Sequence, residues 1–72
     1  MNDQLDTNAI KVIEIVGVST ASFDDAVTMA VDKAAESVSG ITRIQVIDQS
    51  ATVRDGVIAR YEVTVKLSFS VH

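Results

Sequence analysis

The fifteen residues from Val57 to Val71 alternate almost strictly between apolar and polar side chains. Every odd position is apolar, and the even positions are polar except for Ile58. Successive side chains of a β-strand point to opposite faces of a sheet, so this pattern predicts one long strand with an apolar face and a polar face. At about 3.3 Å per residue such a strand extends roughly 50 Å. The rest of the fold has to be built around it.

The dipeptide Asp55-Gly56 precedes this strand and is typical of a two-residue hairpin loop. It predicts an antiparallel partner strand over about 41–53. A two-residue loop pairs Arg54 with Val57, so even positions of the partner strand share a face with odd positions of the last strand.

This register predicts which side chains lie on each face of the hairpin. Ile44 would join Leu67, and Val46 would join Val65, on one apolar face. A three-residue loop would instead place polar side chains among the valines, so we favour the two-residue loop. The opposite face would hold mostly polar side chains, namely Arg43, Gln45, Ile47, Gln49, Glu62, Thr64 and Lys66.

An earlier segment, 10–17, predicts a first strand that is apolar on both faces apart from Lys11 and Glu14. A strand that is apolar on both sides is typical of a sheet that is covered on both faces. One face would hold Ile10, Val12, Val16 and Val18, and the other Ile13 and Ile15.

Between the first two strands, apolar residues recur at helical spacing. Ser22 is the predicted N-cap, since Asp24 and Asp25 follow in the first turn, where they interact favourably with the helix dipole. Gly40 is predicted to end the helix in a left-handed conformation. The apolar positions of this helix are Phe23, Ala26, Val27, Ala30, Ala34 and Val38.

The predicted order of elements is β-α-β-β with a tight last hairpin. It indicates an α+β fold in which one helix packs on one face of a three-stranded antiparallel sheet with strand order 1-3-2. The helix, at about 17 residues, would be roughly 26 Å long. Because it cannot cover a 50 Å strand, we expect other copies of the chain to cover the rest of the sheet.

Composition supports self-association and excludes several classes of partner. A chain of 72 residues usually needs disulfides, metals or partner subunits for stability. Cysteine is absent and the only histidine is His72, which excludes disulfides and Cys/His zinc sites. A net charge of −4 opposes binding to nucleic acid.

The N-terminal residues and the absence of long apolar runs predict the cellular location. No run approaches the roughly 18 apolar residues of a membrane span, and the start lacks the basic and apolar regions of a signal peptide. We therefore expect a cytoplasmic protein without a membrane partner. It would have a flexible tail over 1–9 and a single domain over 10–72.

Four segments of the sequence resemble the dodecin family. KVIEIVGVS (11–19) is similar to the family's opening strand and turn, with Val18 in place of Thr. SFDDAV (22–27) is similar to its helix start, IQVIDQ (44–49) to its second strand and YEVTVKLSF (61–69) to its third. The four segments occur in the family's order and spacing, in a chain of the family's length.

The resemblance implies a hollow homododecamer that stores or quenches flavins, FMN or riboflavin among them, by sequestration and without catalysis. In such flavoprotein shells, flavin rings stack in pairs between tryptophans at two-fold interfaces, and a glutamine holds the polar ring edge. Here Arg43 occupies the tryptophan position and Glu62 the glutamine position, and the chain contains no tryptophan. We expect weakened flavin stacking, because two guanidinium groups facing each other repel. Some relatives that lack the tryptophan are calcium-binding dodecins.

Arg43, Gln45 and Glu62 are therefore the candidate ligand-binding residues. In the predicted register Arg43 lies opposite about Ser68 and Glu62 opposite Gln49, so the two charged residues can meet only across an interface. One hypothesis is a polar ligand pocket at a two-fold axis. The alternative is a structural dodecamer in which an intersubunit Arg43–Glu62 ion pair closes the pocket.

Two further residues are candidates for binding small groups. Asp48 is the one acid on the predicted apolar face of its strand, so it is bulged outward, hydrogen-bonded, or part of a channel where symmetry copies collect carboxylates. Such a ring would bind a hard cation, calcium or magnesium. Lys33 matches a basic position that contacts a nucleotide phosphate in some relatives, although exposed lysine is the commoner explanation.

The remaining polar residues suggest no catalytic chemistry. Ser19 and Thr20 have no histidine base near them in the sequence, so no nucleophilic constellation is predicted. We therefore expect a protein that is not an enzyme. The acids of the helix, predicted to be exposed to solvent, are Asp24, Asp25, Asp32 and Glu36.

Overall fold

The computed structural model describes residues 9–71 of the chain. It contains four elements, listed in chain order as strand β1 (Ala9–Ser19), helix α1 (Phe23–Ala35), strand β2 (Ile41–Arg54) and strand β3 (Val57–Val71). The strands form one antiparallel sheet in the order β1-β3-β2, and the helix packs on one face. The predicted fold is confirmed. The predicted tail and His72 lie outside the described residues, except for Ala9, which belongs to β1.

The core lies between α1 and the central strand. Val63, Val65 and Leu67 of β3 are completely buried. Small side chains on the facing side of the helix allow it to lie close to the sheet; they are Ala26, Ala30 and Ala34. Partly buried side chains surround this centre, namely Ile13, Ile15, Phe23, Val27, Val31 and Ile41.

Gly17 marks the closest approach of β1 to the helix. A Cβ atom at this position would overlap the carbonyl oxygen of Ala26 and lie 2.9 Å from the Cβ of Ala30. The first strand was predicted to end at Gly17, and that prediction was wrong because β1 continues to Ser19. Glycine is required here by packing against the helix rather than by a turn.

The helix begins as predicted and ends earlier. The Ser22 hydroxyl accepts a hydrogen bond from the Asp25 amide at 3.0 Å, which confirms the N-cap. The helix ends at Ala35 rather than at Gly40. Gly40 does have a positive φ of 75°, but it lies in the connection that leads into β2.

The shorter helix leaves more of the sheet uncovered than predicted. Its 13 residues span about 20 Å, whereas the subunit is 56 Å long. The far end of the hairpin extends well beyond the helix. At this end Val53, Val57 and Ile58 are 61%, 67% and 46% exposed.

The β2–β3 hairpin keeps the predicted register beside the loop and again from Arg43 to Val46, beyond which a further irregularity pairs Ile41 with Phe69. Asp55 and Gly56 both have positive φ angles, 54° and 77°, as a two-residue loop of the I′ type requires. Arg54 pairs with Val57 at the loop. At the other end the predicted pairs Arg43–Ser68, Ile44–Leu67 and Val46–Val65 are all present.

Between these ends, two irregularities shift the register by one residue. Ile47 has no partner in β3, and the pairing resumes with Asp48 opposite Thr64 and Ser50 opposite Glu62. A second irregularity between Thr52 and Val53 restores the original register. The prediction that Glu62 lies opposite Gln49 was therefore wrong.

The shift reverses the faces of the intervening residues. Asp48 moves to the side of the sheet away from the helix, and Gln49 moves to the helix side, opposite Val63. The sequence analysis placed Gln49 on the polar face together with Glu62, and the structure shows that this prediction was wrong. An extra residue in one strand costs a ladder hydrogen bond locally, and it keeps the Asp48 carboxylate off the apolar face. The structure thus shows the outward bulge that was one of three alternatives for Asp48.

Candidate functional site

The candidate residues lie on the side of the sheet turned away from α1, called here the open face. The open face is divided lengthwise by chemistry. Side chains of β1 form an apolar row of Ile10, Val12, Val16 and Val18, between 43% and 58% exposed, which Glu14, opposite Lys66, interrupts at its middle. Polar side chains of the other two strands lie beside it, namely Glu62, Thr64, Lys66 and Ser68 of β3 and Arg43, Gln45, Asp48, Ser50 and Thr52 of β2.

Arg43 and Gln45 lie at one end of this polar region. Arg43 is opposite Ser68 and Gln45 is opposite Lys66, and both side chains are exposed. Two positions apart on one strand, they project to the same side. Within one chain they form an uncovered polar edge of the sheet rather than a pocket.

Glu62 lies further along β3 and has partners that the sequence analysis missed. Its Oε2 atom accepts hydrogen bonds from Arg60 Nε at 2.7 Å and from Thr52 Oγ1 at 3.1 Å. The Arg60 bond, with a smaller effect of the Thr52 bond, lowers the pKa of Glu62 below its ordinary value despite opposing desolvation. Arg60 could have been found from its position, two residues before Glu62 on the same face and of opposite charge.

Arg43 and Glu62 do not meet within one subunit. Ser68, the partner of Arg43, lies six positions beyond Glu62 on β3, which corresponds to about 20 Å along the strand. This confirms the expected separation. A site that contains both residues therefore requires a second subunit.

Asp48 lies near Glu62, because it is opposite Thr64, the next open-face residue along β3, whereas Lys33 lies away from both Arg43 and Glu62. Asp48 is exposed on the open face, and within residues 9–71 no group of three His, Cys, Asp or Glu side chains could hold a metal ion. Lys33 lies on the helix, on the other side of the sheet, where its Nζ atom is 3.5 Å from Glu36 Oε1. Both side chains of that pair are largely exposed, so it adds little stability.

The start of the helix contains a polar cluster built around Ser19. Its hydroxyl donates to Asp25 Oδ2 at 2.7 Å and accepts from the amides of Ala21 and Ser22 at 2.9 Å and 3.4 Å. Asp25 was predicted to be exposed, and that prediction was wrong because Ser19 holds it half-buried. The cluster satisfies backbone groups where β1 turns into the helix.

Beside this cluster the Phe23 and Tyr61 rings meet edge to face, with their centroids 4.9 Å apart. This pair closes the core at the helix start.

No helix in the described part of the chain is long and apolar enough to cross a membrane.

Comparison with known proteins agrees with the open sheet and its single helix. Residues 9–72 match the family model Dodecin. This chain belongs to the dodecin family. The predicted fold and the predicted family are thus confirmed, and with them the class of small ligand-binding proteins to which dodecins belong.

Solved dodecins have the same fold. The dodecin of Streptomyces coelicolor is 29% identical with a TM-score of 0.88, over 92% of this chain and 94% of that one. The dodecin of Streptomyces davaonensis is 26% identical with a TM-score of 0.87, over 92% and 97%.

A Mycobacterium tuberculosis protein described as a calcium dodecin with a novel calcium-binding site is 35% identical. Its TM-score is 0.78, over 89% of this chain and 91% of that one. A comparison with curated protein sequences finds no match.

Proposed function

We propose that this dodecin is a cytoplasmic, non-enzymatic protein that sequesters a small ligand inside a closed homo-oligomer, with twelve subunits. The observation that carries this proposal is the exposed apolar row of β1 on the open face. Four aliphatic side chains about half exposed form two apolar patches, one on each side of Glu14, of a kind that marks an interaction site. Burial against other copies would supply the stability that a chain of 72 residues lacks alone.

The ligand pocket would form where open faces of two subunits meet. Arg43 and Gln45 of one subunit would then approach Glu62 of another, which a single chain does not permit. Lys33 would contact a nucleotide phosphate only if a neighbouring subunit presents the ligand to the helix side. The ligand would be FMN, riboflavin or another planar molecule, bound without the paired aromatic stacking that tryptophan provides.

Two measurements test the assembly and its contents. Sedimentation at micromolar concentration should show a closed oligomer of twelve subunits, and the absorption spectrum of the purified protein should reveal a bound chromophore. A folded monomer at that concentration would contradict the proposal.

Riboflavin titration tests the pocket. We expect weak quenching of riboflavin fluorescence by the unmodified protein and strong quenching by Arg43→Trp combined with Glu62→Gln, since a ring platform and a neutral donor are then present. The matched control is Arg54→Trp, an exposed arginine of the same strand beside the hairpin loop, which should not restore quenching. Strong quenching by the control or by the unmodified protein would place flavin elsewhere.

A second candidate function is ion binding without flavin. It is favoured by the 35% identity to the calcium dodecin and by the bulge that turns Asp48 to the open face. Symmetry copies of Asp48 could supply oxygen ligands to calcium or magnesium. Metal analysis of the purified protein tests this, with Asp48→Asn as the variant expected to lose the ion.

The alternative of a pocket closed by an Arg43–Glu62 pair receives less support. Arg60 already pairs with Oε2 of Glu62 within the chain, so a second cation at the same carboxylate would gain less electrostatic energy. A double-mutant cycle with Arg43→Ala and Glu62→Ala measures the coupling. Additive effects of the two substitutions on assembly stability would show that the residues do not interact, which would contradict a closed pocket.

A further inference from the structure

One oxygen of the Glu62 carboxylate accepts two hydrogen bonds, and the other accepts none from residues 9–71. Arg60 and Thr52 both donate to Oε2, and among residues 9–71 no donor reaches Oε1. A carboxylate offers about four lone-pair positions. Two therefore remain on Oε1, at a side chain that is 25% exposed and points to the open face.

The neighbours of Glu62 on the open face add an apolar surface beside this residue. Val18 of β1 pairs with Glu62, and Val16 lies one row further along, opposite Thr64. These two valines are 43% and 53% exposed. If subunit contacts leave this part of the row to a ligand, a flat ring lying on the valines would have its edge beside the Glu62 carboxylate.

Such an edge has to donate hydrogen bonds. An ionised carboxylate accepts and never donates, and the ion pair with Arg60 favours the ionised form. The flavin edge presents one N–H between two carbonyl oxygens, and a carbonyl oxygen facing a carboxylate is left unpaired and repelled. The 2-amino-4-oxopyrimidine edge of guanine and of pterins presents an N–H and an adjacent NH₂, which match the two free positions.

We propose that Glu62 selects planar heterocycles with a 2-amino-4-oxopyrimidine edge, and that Arg60 and Thr52 are the positioning residues that hold its carboxylate. This inference rests on the proposed ligand-sequestering function and names the ligand class. Glutamate in place of the family's glutamine at position 62 would thus weaken flavin binding and favour a different class of ligand.

The test compares ligand pairs that differ only at the 2-position. Pterin and lumazine share a ring system, with an amine in the first and a carbonyl in the second. Guanosine and xanthosine differ in the same way when the pH is low enough to keep xanthosine neutral. With the assembled full-length protein, calorimetry or ligand fluorescence should show pterin bound about 10- to 100-fold more tightly than lumazine, because one charge-assisted hydrogen bond is lost and a repulsion gained. Preference for guanosine over xanthosine assigns nucleosides to the site, and preference for pterin alone assigns pterins.

Variants show whether the preference comes from Glu62. Glu62→Gln should abolish the pterin preference, and Arg60→Gln should reduce it while sedimentation stays unchanged. Arg54→Gln, an arginine outside the cluster, should leave it intact. If Glu62→Gln fails to assemble, the comparison of each ligand pair on the unmodified protein still tests the preference for the 2-amino group.

Each outcome separates the inference from the function on which it rests. Equal binding of pterin and lumazine, or a preference that survives Glu62→Gln, overturns the inference and leaves sequestration standing. Failure of the intact oligomer to bind any of these rings or riboflavin overturns both.

Discussion

The two faces of the sheet differ in how far a single chain completes them. On the helix face the β3 residues Val63, Val65 and Leu67 are 0% exposed. On the open face comparable aliphatic side chains of β1 remain about half exposed. The helix is thus sufficient to build one core, while the other face is left for contacts beyond the chain.

The difference shows that an apolar face of a strand is not necessarily buried within the chain. β1 is apolar on both faces, yet only one is packed against α1. Stability of the folded chain should depend on the helix face, and assembly and ligand binding on the open face. The following predictions test this division, from the largest expected effect to the smallest.

Truncating the core of the helix face should have the largest effect. Leu67→Ala should lower the free energy of unfolding by about 2–5 kcal/mol, because it removes a completely buried side chain and leaves a cavity. Urea denaturation measures this change, and it should be the same at low and high protein concentration.

The matched variant is Ile10→Ala, which removes an isomeric side chain that is 58% exposed on the open face. Its effect should be small at low protein concentration and grow with concentration as subunits associate. Equal losses for both variants at the lowest concentration would remove the distinction between the faces.

Adding an atom between β1 and the helix should also be costly. Gly17→Ala should destabilise the protein by about 1–3 kcal/mol, since the new methyl group overlaps the Ala26 carbonyl oxygen and must push the helix outward. Thermal unfolding followed by circular dichroism measures the shift.

Gly40→Ala is the control, because no atom lies within 4 Å of the added Cβ and only its positive φ is strained. That strain costs about 1 kcal/mol. A larger loss for Gly40→Ala than for Gly17→Ala would contradict the close packing of helix and strand.

The polar cluster at the helix start should contribute less than the core. Ser19→Ala removes three hydrogen bonds, one of them to the Asp25 carboxylate, and should cost about 1–2 kcal/mol. Chemical denaturation would detect it. Ser50→Ala on the open face should change stability by less than about 0.5 kcal/mol, and a comparable loss there would mean that the open face also stabilises the chain.

The smallest effect concerns the pH dependence of stability through Glu62. Its pKa is lower in the folded chain than the ordinary value of 4.5, so the unfolded state binds more protons between the two values. The stabilisation is present above the unfolded pKa and is lost as the pH falls through the folded pKa.

Unfolding measured from pH 6 down to pH 3 should therefore show a steeper loss for the unmodified protein than for Glu62→Gln. Arg60→Gln should make the slope shallower, because the largest cause of the lowered pKa is removed. Identical slopes for all three proteins would show that the ion pair on the open face contributes nothing to folding.

The sequence alone determined the elements and their order. The alternation of β3, the Asp55-Gly56 loop and the Ser22 cap each depend on residues close together in the chain. Strand order and the hairpin register beside the loop follow from these local patterns, because a two-residue turn fixes the pairing next to it. The pairs from Arg43 to Val46 have the predicted register only because the two shifts cancel.

Only the tertiary structure decided the features that depend on contacts between distant segments. Ile47 is extra only relative to β3, so no local pattern reveals that Asp48 and Ser50 change faces there. The need for glycine at position 17 arises from the backbone of the helix. The same holds for the candidate site. Thr52 reaches Glu62 because the shifted register places it on the open face. This placement results from strand pairing, and the periodicity of one strand does not predict it.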